Sequence, residues 1–489
     1  MMEHYDLAVI GGGPAGVTAA LRARELGTPR VALVERGLLG GTCTNDGCAP
    51  TRVLAKTARL LRDAEQFAGY GLNAERPQVD FAQVMRRTQQ VVYELQEKKQ
   101  LMYHLEEASI RAYVGVGAAR FVSAREISFE SGGGLTADRY ILAVGGRPRR
   151  LDFPGAELAL THSDVWAMTR LPESIIIVGT GATGCQLASI FESFGARVTL
   201  MEVLPRILPT EDADVSALMD AQFRERGVEI ITGITGIARI ERDSARLRLV
   251  VTTPDGELAR SSDVVLLSVG WPSNADRLNL AAAGVTLRGS FVQVDDDLRT
   301  SAPHIYAAGD ITGRMMLVQS AAQQARVAAE NALLGAGRHA EHRLVPHGGF
   351  TDPEYASVGM TEADARARTD ATVATVPYAD MDRAVIDDRT VGFCKLIVDR
   401  ATHRIVGAHV VGEQAVEVVQ VIAAVMAGDL PVQHLAELEF SYPTFAAIIG
   451  VAARQIARDL NLVPISTEWR LLTRMRPAEW ERADHARDS

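Results

Sequence analysis

The run Leu7-Ala8-Val9-Ile10-Gly11-Gly12-Gly13-Pro14-Ala15-Gly16 decides the fold. Its apolar, partly β-branched start reads as a buried strand. The G-x-G-x-x-G that follows reads as a tight turn opening into a helix. Gly11 permits the turn, Gly13 lets the backbone approach a pyrophosphate, and Gly16 lets the helix close on the strand. The helix N-terminus offers free N–H groups and the positive end of its dipole to an anion. A second apolar strand, Val31-Ala32-Leu33-Val34, ends at Glu35, placed to accept from ribose hydroxyls.

The pattern returns in Ile175-Ile176-Ile177-Val178-Gly179-Thr180-Gly181-Ala182-Thr183-Gly184, followed by Val198-Thr199-Leu200-Met201-Glu202. One such match is weak evidence. Two, each with the full strand–turn–helix–strand–acid context, predict an α/β protein with two Rossmann-like dinucleotide-binding domains. Gly179, Gly181 and Gly184 repeat the roles of the first glycines. An acid at Glu202 repels a 2′-phosphate, so NAD(H) is expected in preference to NADP(H). Arg206, four residues on, works against that preference.

Beside the first fingerprint lies Gly40-Gly41-Thr42-Cys43-Thr44-Asn45-Asp46-Gly47-Cys48-Ala49-Pro50. A Cys-x4-Cys pair there gives a bound flavin, FAD, a neighbouring disulfide to reduce. The residues after Cys48 can start a helix, with Pro50 tolerated in its first turn. A thiol at that helix end, with Arg52 one turn on, is expected to have a lowered pKa and to face the flavin. Cys43 is then expected to face outward and exchange with substrate. A zinc site would need about four ligands, and no second Cys pair or nearby His pair is present. Two unlinked packing cysteines are the other alternative. Cys185 and Cys394 read as small packing residues.

A chain of 489 residues should hold two to four domains. A net charge of −10 gives no electrostatic reason to bind nucleic acid or an anionic membrane. Four cysteines are too few for a disulfide scaffold, so a reducing, cytoplasmic setting is expected. The N-terminal residues lack a signal-peptide pattern, and no run of 18 apolar residues suggests a membrane span. Residues 80–109 combine helical periodicity with many charges and read as a solvated helical excursion. Short strands are expected from Tyr113 to Glu130. Past residue 343 the pattern becomes α+β. Strands are expected at Phe393–Val398 and Ile405–Val411, and helices at Val416–Met426 and Ala446–Asp459. The expected domains are 1–150 with 271–343, 151–270, 344–466, and a polar tail over 467–489.

On these motifs the chain resembles the pyridine nucleotide–disulfide oxidoreductases, the family of dihydrolipoamide dehydrogenase, glutathione reductase and mercuric reductase. The family's G-G-T-C-x-N-x-G-C-x-P segment is matched by Gly40–Pro50 and its A-T-G-x-R-P turn by Ala143-Val144-Gly145-Gly146-Arg147-Pro148. Its second flavin motif is matched by Ile305-Tyr306-Ala307-Ala308-Gly309-Asp310, and its C-terminal domain by Phe350–Gly359. The resemblance implies FAD in the first unit, a nicotinamide cofactor in the second, a C-terminal dimerisation domain and a homodimer. It implies that Asp310 holds the flavin ribityl hydroxyls. Thr42, Arg52, Gly145, Gln186 and Gly270 fall at further cofactor-binding positions.

Three departures bear on function. Thiol-reducing members carry His-Pro-Thr-x-x-Glu, whose His deprotonates the substrate thiol and whose Glu orients it. This chain has Tyr442-Pro443-Thr444-Phe445-Ala446-Ala447. Tyrosine, with a pKa near ~10, is a poor base at neutral pH, and acid–base help contributes ~10²–10⁴-fold. Tyrosine there resembles the mercuric reductase pattern, but no cysteine follows Cys394 to deliver metal. Alternatively, Tyr442 only fills space. Second, a Glu–Lys pair common beside the flavin is here Gln186 and Arg52, which implies a shifted flavin potential. Third, Trp271 stands where Arg is common.

The expected activity is therefore electron transfer from NADH through flavin and a Cys43–Cys48 disulfide to a small-molecule acceptor needing no His base. A metal ion, a quinone or an activated disulfide would qualify. A dihydrolipoamide dehydrogenase-type enzyme borrowing a base such as Glu439, and a non-catalytic nucleotide sensor, are the competing readings.

Overall fold

The computed structural model describes residues 2–75 and 77–462. The tail expected over 467–489 lies outside the described residues. The chain divides into two compact units, one up to Glu354 and one from Tyr355 on.

The first unit opens with β1 (Glu3–Ile10), α1 (Pro14–Glu25) and β2 (Val31–Glu35). The helices α2 (Gly41–Asn45), α3 (Cys48–Glu65), α4 (Phe81–Lys99) and α5 (Leu101–Glu107) follow. The strands β3 (Arg111–Val114), β4 (Ala119–Ser123), β5 (Glu126–Phe129) and β6 (Gly134–Leu142) come next. A second set comprises β7 (Leu160–Thr161), β8 (Ser174–Val178), α6 (Ala182–Ser193), β9 (Arg197–Met201), α7 (Ala213–Glu225) and β10 (Glu229–Ile231). It continues through β11 (Gly236–Asp243), β12 (Arg246–Thr253), β13 (Gly256–Ser262) and β14 (Val264–Leu267). The unit finishes with β15 (Leu287–Arg288), β16 (Phe291–Val292), β17 (Ile305–Ala307), α8 (Val318–Leu334) and β18 (His347–Gly349).

Among the described residues the first sheet runs β3-β2-β1-β6-β5-β4, with β17 also on β6. Its β1–β2, β1–β6, β2–β3 and β6–β17 pairs are parallel, as right-handed β-α-β crossovers require. The second sheet, β10-β9-β8-β14-β7, is parallel throughout, and β11-β12-β13 form a separate antiparallel sheet. β1-α1-β2 and β8-α6-β9 are thus the same device used twice. Buried alanines on α1 (Ala19, Ala20, Ala23) and α8 (Ala325, Ala328, Ala329) belong to one apolar cluster, and their small size lets these helices pack closely. At the first turn a Cβ on Gly16 would lie 1.7 Å from the Gly11 carbonyl oxygen, so no larger residue lets α1 start against β1.

The first unit runs past the expected boundary at 343 because residues 350–352 are bonded to its helices. Gln186 accepts from the Phe350 N–H at 3.2 Å, and Ser189 Oγ accepts from the Asp352 N–H at 3.1 Å. Arg62 of α3, 4% exposed, donates to the Ser189 carbonyl at 2.9 Å and pairs with Glu192 at 3.3 Å and Asp352 at 3.2 Å. The helix that starts at Cys48 is thereby tied to the helix that starts at the second fingerprint.

The second unit holds β19 (Tyr355–Gly359), α9 (Glu362–Arg368), β20 (Ala371–Pro377), α10 (Asp382–Ile386), β21 (Phe393–Asp399) and β22 (Ile405–Val411). The helices α11 (Ala415–Ala427), α12 (Gln433–Glu437) and α13 (Ala447–Asp459) complete it. Its sheet contains the antiparallel order β19-β22-β21-β20, with α11 against β19 and β22 and α13 against β20 and β21. The molecule is thus a mixed α/β protein with nucleotide-binding folds ahead of an α+β unit.

Replacing Arg62 by Ala leaves Asp352 without its ion pair while Glu192 keeps Arg226. Breaking a buried pair costs about 3 kcal/mol, so R62A should lower the thermal midpoint by roughly 3–4 °C in a circular dichroism melt. An unchanged midpoint would show that the ties from α3 to α6 carry no stability.

Candidate active site

The cysteine loop lies directly on the first fingerprint turn. The Gly40 N–H, at φ +97°, donates to the Gly12 carbonyl at 2.9 Å. A Cβ on Gly41 would lie 2.8 Å from Gly13 Cα, so only glycine at position 41 allows this approach. Cys43 sits inside the short helix α2, above Thr42, and Cys48 is the first residue of α3, as expected. Asn45 Nδ2 donates to the Leu39 carbonyl at 3.1 Å and Oδ1 accepts from Gln96 at 2.7 Å. Lys99 Nζ donates to Thr44 Oγ1 at 2.6 Å. Residues 80–109 are therefore not merely solvated: the C-terminal end of α4 returns to the cysteine loop. On the other side, Ser163 Oγ and Trp166 Nε1 donate to the Asp46 carboxylate at 2.9 and 3.1 Å.

Both cysteines are free thiols, and Cys48 hydrogen-bonds to Cys43. That bond pulls the Cys43 thiol down to about 7, with burial opposing, the Lys99 cation helping, and the Asp310 charge opposing. The same bond pushes the Cys48 thiol up, with burial adding to it. The bond couples the two sulfurs, so the first proton is lost by the pair, and Cys48's own backbone N–H favours its thiolate. The pair loses one proton easily and the second with difficulty. Cys48 is exposed and Cys43 half-buried. The charge that helps the pair is Lys99, one of several cations on a helix with no motif to single it out.

The surrounding residues fit a flavin dinucleotide. Glu35 ends β2, where its carboxylate accepts from the Gly12 and Gly37 N–H groups at 2.6 and 2.8 Å. A cavity of about 320 Å³ opens there, lined by Gly11, Glu35, Gly37, Val144, Asn274 and Arg277, of a size for a nucleoside. A Cβ on Gly13 would meet nothing nearer than 3.7 Å, which leaves the turn open to a phosphate. Gly145, at φ +64°, accepts from the Asn274 N–H at 3.0 Å, and Gly270, at φ +126°, accepts from the Arg149 N–H at 3.0 Å. These bonds clip segment 143–149 to segment 270–274. Asp310 follows Gly309 and accepts from Trp271 Nε1 at 2.9 Å. Burial raises the Asp310 carboxyl, and the indole N–H opposes that rise. Asp310 also acts on both cysteines, raising each.

The second fingerprint is built likewise. A Cβ on Gly184 would lie 2.0 Å from the Gly179 carbonyl oxygen, while Gly181 faces open space. Glu202 accepts from Thr180 N–H and Oγ1 at 2.9 and 2.7 Å and from the Leu204 N–H at 3.0 Å. Arg206 is committed to its own loop, donating to the Pro209 and Glu211 carbonyls at 2.9 Å. Val203 and Leu204, which flank Glu202, are exposed and uncharged. Arg52 and Gln186 meet at Phe350: the guanidinium lies 3.0 Å over its ring and Gln186 Oε1 accepts from its N–H. Phe350 was visible only as part of the C-terminal motif, with nothing to assign it this place.

Within the second unit Tyr442 is 78% exposed and donates to Asp382 Oδ2 at 2.7 Å. The Asp382 carboxylate holds the phenol above its ordinary range. Ala447 begins α13, and Glu439 is an exposed side chain. Asp382, on α10 and 60 residues away, carries no sequence signal for this contact. Among the described residues no group of three or more His, Cys, Asp or Glu side chains is arranged for a metal, and no helix is long and apolar enough to cross a membrane.

In fully reduced protein, alkylation by iodoacetamide should rise with pH through a midpoint near 7 and fall away below it, because Cys43 loses its proton there. Lys99→Met removes a cation that favours the thiolate, so the midpoint should move up by about half a unit. A midpoint left in place would remove Lys99 from the account.

Comparison with known proteins follows this geometry. The model described as pyridine nucleotide-disulphide oxidoreductase matches residues 5–325, and the dimerisation domain of that family matches residues 345–453. The chain is 30% identical over 462 residues to mercuric reductase from Lysinibacillus sphaericus, covering 94% of this chain and 84% of that protein. It is 31% identical over 470 residues to dihydrolipoyl dehydrogenase from Bacillus subtilis, covering 93% and 98%. It superposes at a TM-score of 0.82, with 28% identity, on the HOCl-induced flavoprotein disulfide reductase RclA from Escherichia coli, covering 92% of this chain and all of that one. A Cu(II) complex of RclA superposes equally well, at 0.82 and 27% identity. With both parts of the family matched in order along one chain, the protein belongs to the pyridine nucleotide–disulfide oxidoreductases, flavoproteins that use a pyridine nucleotide.

Proposed function

We propose that this protein is an FAD-dependent NADH oxidoreductase that passes two electrons through a Cys43–Cys48 disulfide to a metal cation. One observation carries the proposal: two hydrogen-bonded thiols held on the first fingerprint turn, in a chain whose C-terminal motif offers a carboxylate-bound tyrosine instead of a base. Bound FAD supplies the chemistry that links a two-electron hydride donor to a dithiol.

The chain's own residues divide the remaining work. Glu202, with uncharged Val203 and Leu204 beside it and Arg206 turned to its own loop, favours a ribose 2′-hydroxyl over a 2′-phosphate. The reduced pair holds one thiolate and one shared proton. When it closes, the thiolate and the thiol give one S–S bond, one proton and two electrons. Two Cu(II) ions take those electrons to become two Cu(I), or one Hg(II) takes both.

A cation brings no proton of its own that must be removed, and the reduced pair already offers it a thiolate. A dithiol does bring one, and Tyr442, its phenol held protonated by Asp382, cannot remove it near pH 7. The similarity to mercuric reductases and to RclA, which forms a Cu(II) complex, supports a metal acceptor. The match to dihydrolipoyl dehydrogenases supports a dithiol, and the Tyr442–Ala447 pair opposes it. The dimerisation-domain match supports a homodimer, and four unbridged cysteines suit a reducing compartment.

The test is NADH oxidation by the holoenzyme with Cu(II), Hg(II), a quinone, an aromatic disulfide and lipoamide in parallel. A metal ion should exceed lipoamide by at least about 100-fold in kcat/KM, following the size of the missing acid–base step. Lipoamide turnover above ~10 s⁻¹, an ordinary enzyme rate, would overturn the metal reading. NADH should exceed NADPH by at least about 10-fold in kcat/KM, and parity would remove Glu202 as the discriminator. Tyr442→His with Ala447→Glu should raise dihydrolipoamide turnover by roughly 100-fold. No gain would mean that dithiol chemistry is blocked elsewhere.

A further inference from the structure

The acceptor chemistry does not use Trp271. Its indole N–H donates to Asp310 Oδ2 at 2.9 Å. Among the described residues it is the side-chain donor that reaches this carboxylate.

The rest of the Asp310 environment fixes the backbone and leaves the side chain to Trp271. The Gly309 N–H donates to Gln324 Oε1 at 2.8 Å, and Thr312 Oγ1 donates to the Gly309 carbonyl at 2.8 Å. Both bonds hold the 3₁₀ turn that starts at Asp310, and neither touches its carboxylate.

The space for the indole is prepared. A Cβ on Gly146 would lie 2.4 Å from Trp271 Nε1, 2.6 Å from Cδ1 and 2.8 Å from the Pro272 carbonyl oxygen. Gly146 has no left-handed backbone to justify it, so its clearance serves both the ring and the 270–274 segment beneath it. The ring also packs on His162, with centroids 5.2 Å apart and planes inclined at 39°. His162 opens the 3₁₀ turn whose Ser163 and Trp166 hold Asp46 of the cysteine loop. A continuous line of contacts thus runs from the cysteine loop through His162 and Trp271 to Asp310.

We propose that Trp271 is a positioning residue for the flavin: it fixes one oxygen of the Asp310 carboxylate, leaves the other for a hydroxyl of the flavin side chain, and so sets how tightly FAD is held. The inference rests on the flavin lying at Asp310. Trp271→Phe removes the donor and keeps a ring, so a purely packing role predicts little change. Trp271→Ala removes the donor and the ring together.

The experiment measures FAD dissociation from purified holoenzyme by flavin fluorescence, with chain unfolding followed separately by circular dichroism. W271F should weaken FAD binding by about 10-fold, the size of one charge-assisted hydrogen bond, while the unfolding midpoint and the KM for NADH stay put. W271A should weaken FAD at least as much as W271F. Wild-type affinity in W271F would overturn the proposal while leaving the assigned acceptor chemistry intact. A wild-type protein that binds no FAD would overturn both.

Discussion

The structure depends on the contact between two glycines. Gly41 can lie against Gly13 only because Gly41 carries no side chain, and that contact sets the cysteine loop on the turn that receives a pyrophosphate. The Gly40 to Gly12 hydrogen bond seals it. A methyl group at Gly41 would push the sulfur pair off the nucleotide turn. Fold and chemistry meet at this point, since the strand–turn–helix unit supplies the platform and the loop supplies the sulfur.

Around that contact the charges are arranged to make one thiolate and not two. Lys99 favours ionisation of Cys43, Asp310 opposes it, and Cys48 shares its proton. A single thiolate beside a protonated partner is the state a dithiol needs between closing and opening its S–S bond. Asp310 has a double position, as the acid implied to hold the flavin side chain and as a charge felt by both sulfurs. At the other end of the chain the same economy is missing. Tyr442 is bound by Asp382 and stays a phenol, so this chain keeps the electron-carrying half of its family's apparatus and lacks the proton-removing half.

Much of this was legible in the residues. Two fingerprints with their trailing acids carry strand order and helix placement, because the glycine spacing has one steric solution. The Cys-x4-Cys loop and the start of α3 at Cys48 follow from helix-start chemistry. What was not legible depends on tertiary contacts. Helix-end chemistry treats Cys48 alone, whereas the folded loop hydrogen-bonds the two sulfurs, so the first proton is lost by the pair. Lys99 and Asp382 reach their partners across 55 and 60 residues of sequence, with no motif at either end. Trp271 looked like an unexplained exchange until its partner Asp310 and its clearance at Gly146 were seen together.

The central claim is that the sulfur pair is an electron store in contact with the flavin. Anaerobic titration of the oxidised holoenzyme with NADH tests it most directly. The account predicts uptake of two two-electron equivalents per subunit, with a long-wavelength absorbance band appearing after the first and lost on replacing either Cys43 or Cys48 by Ser. Uptake of a single equivalent, with no such band in the wild-type protein, would contradict it.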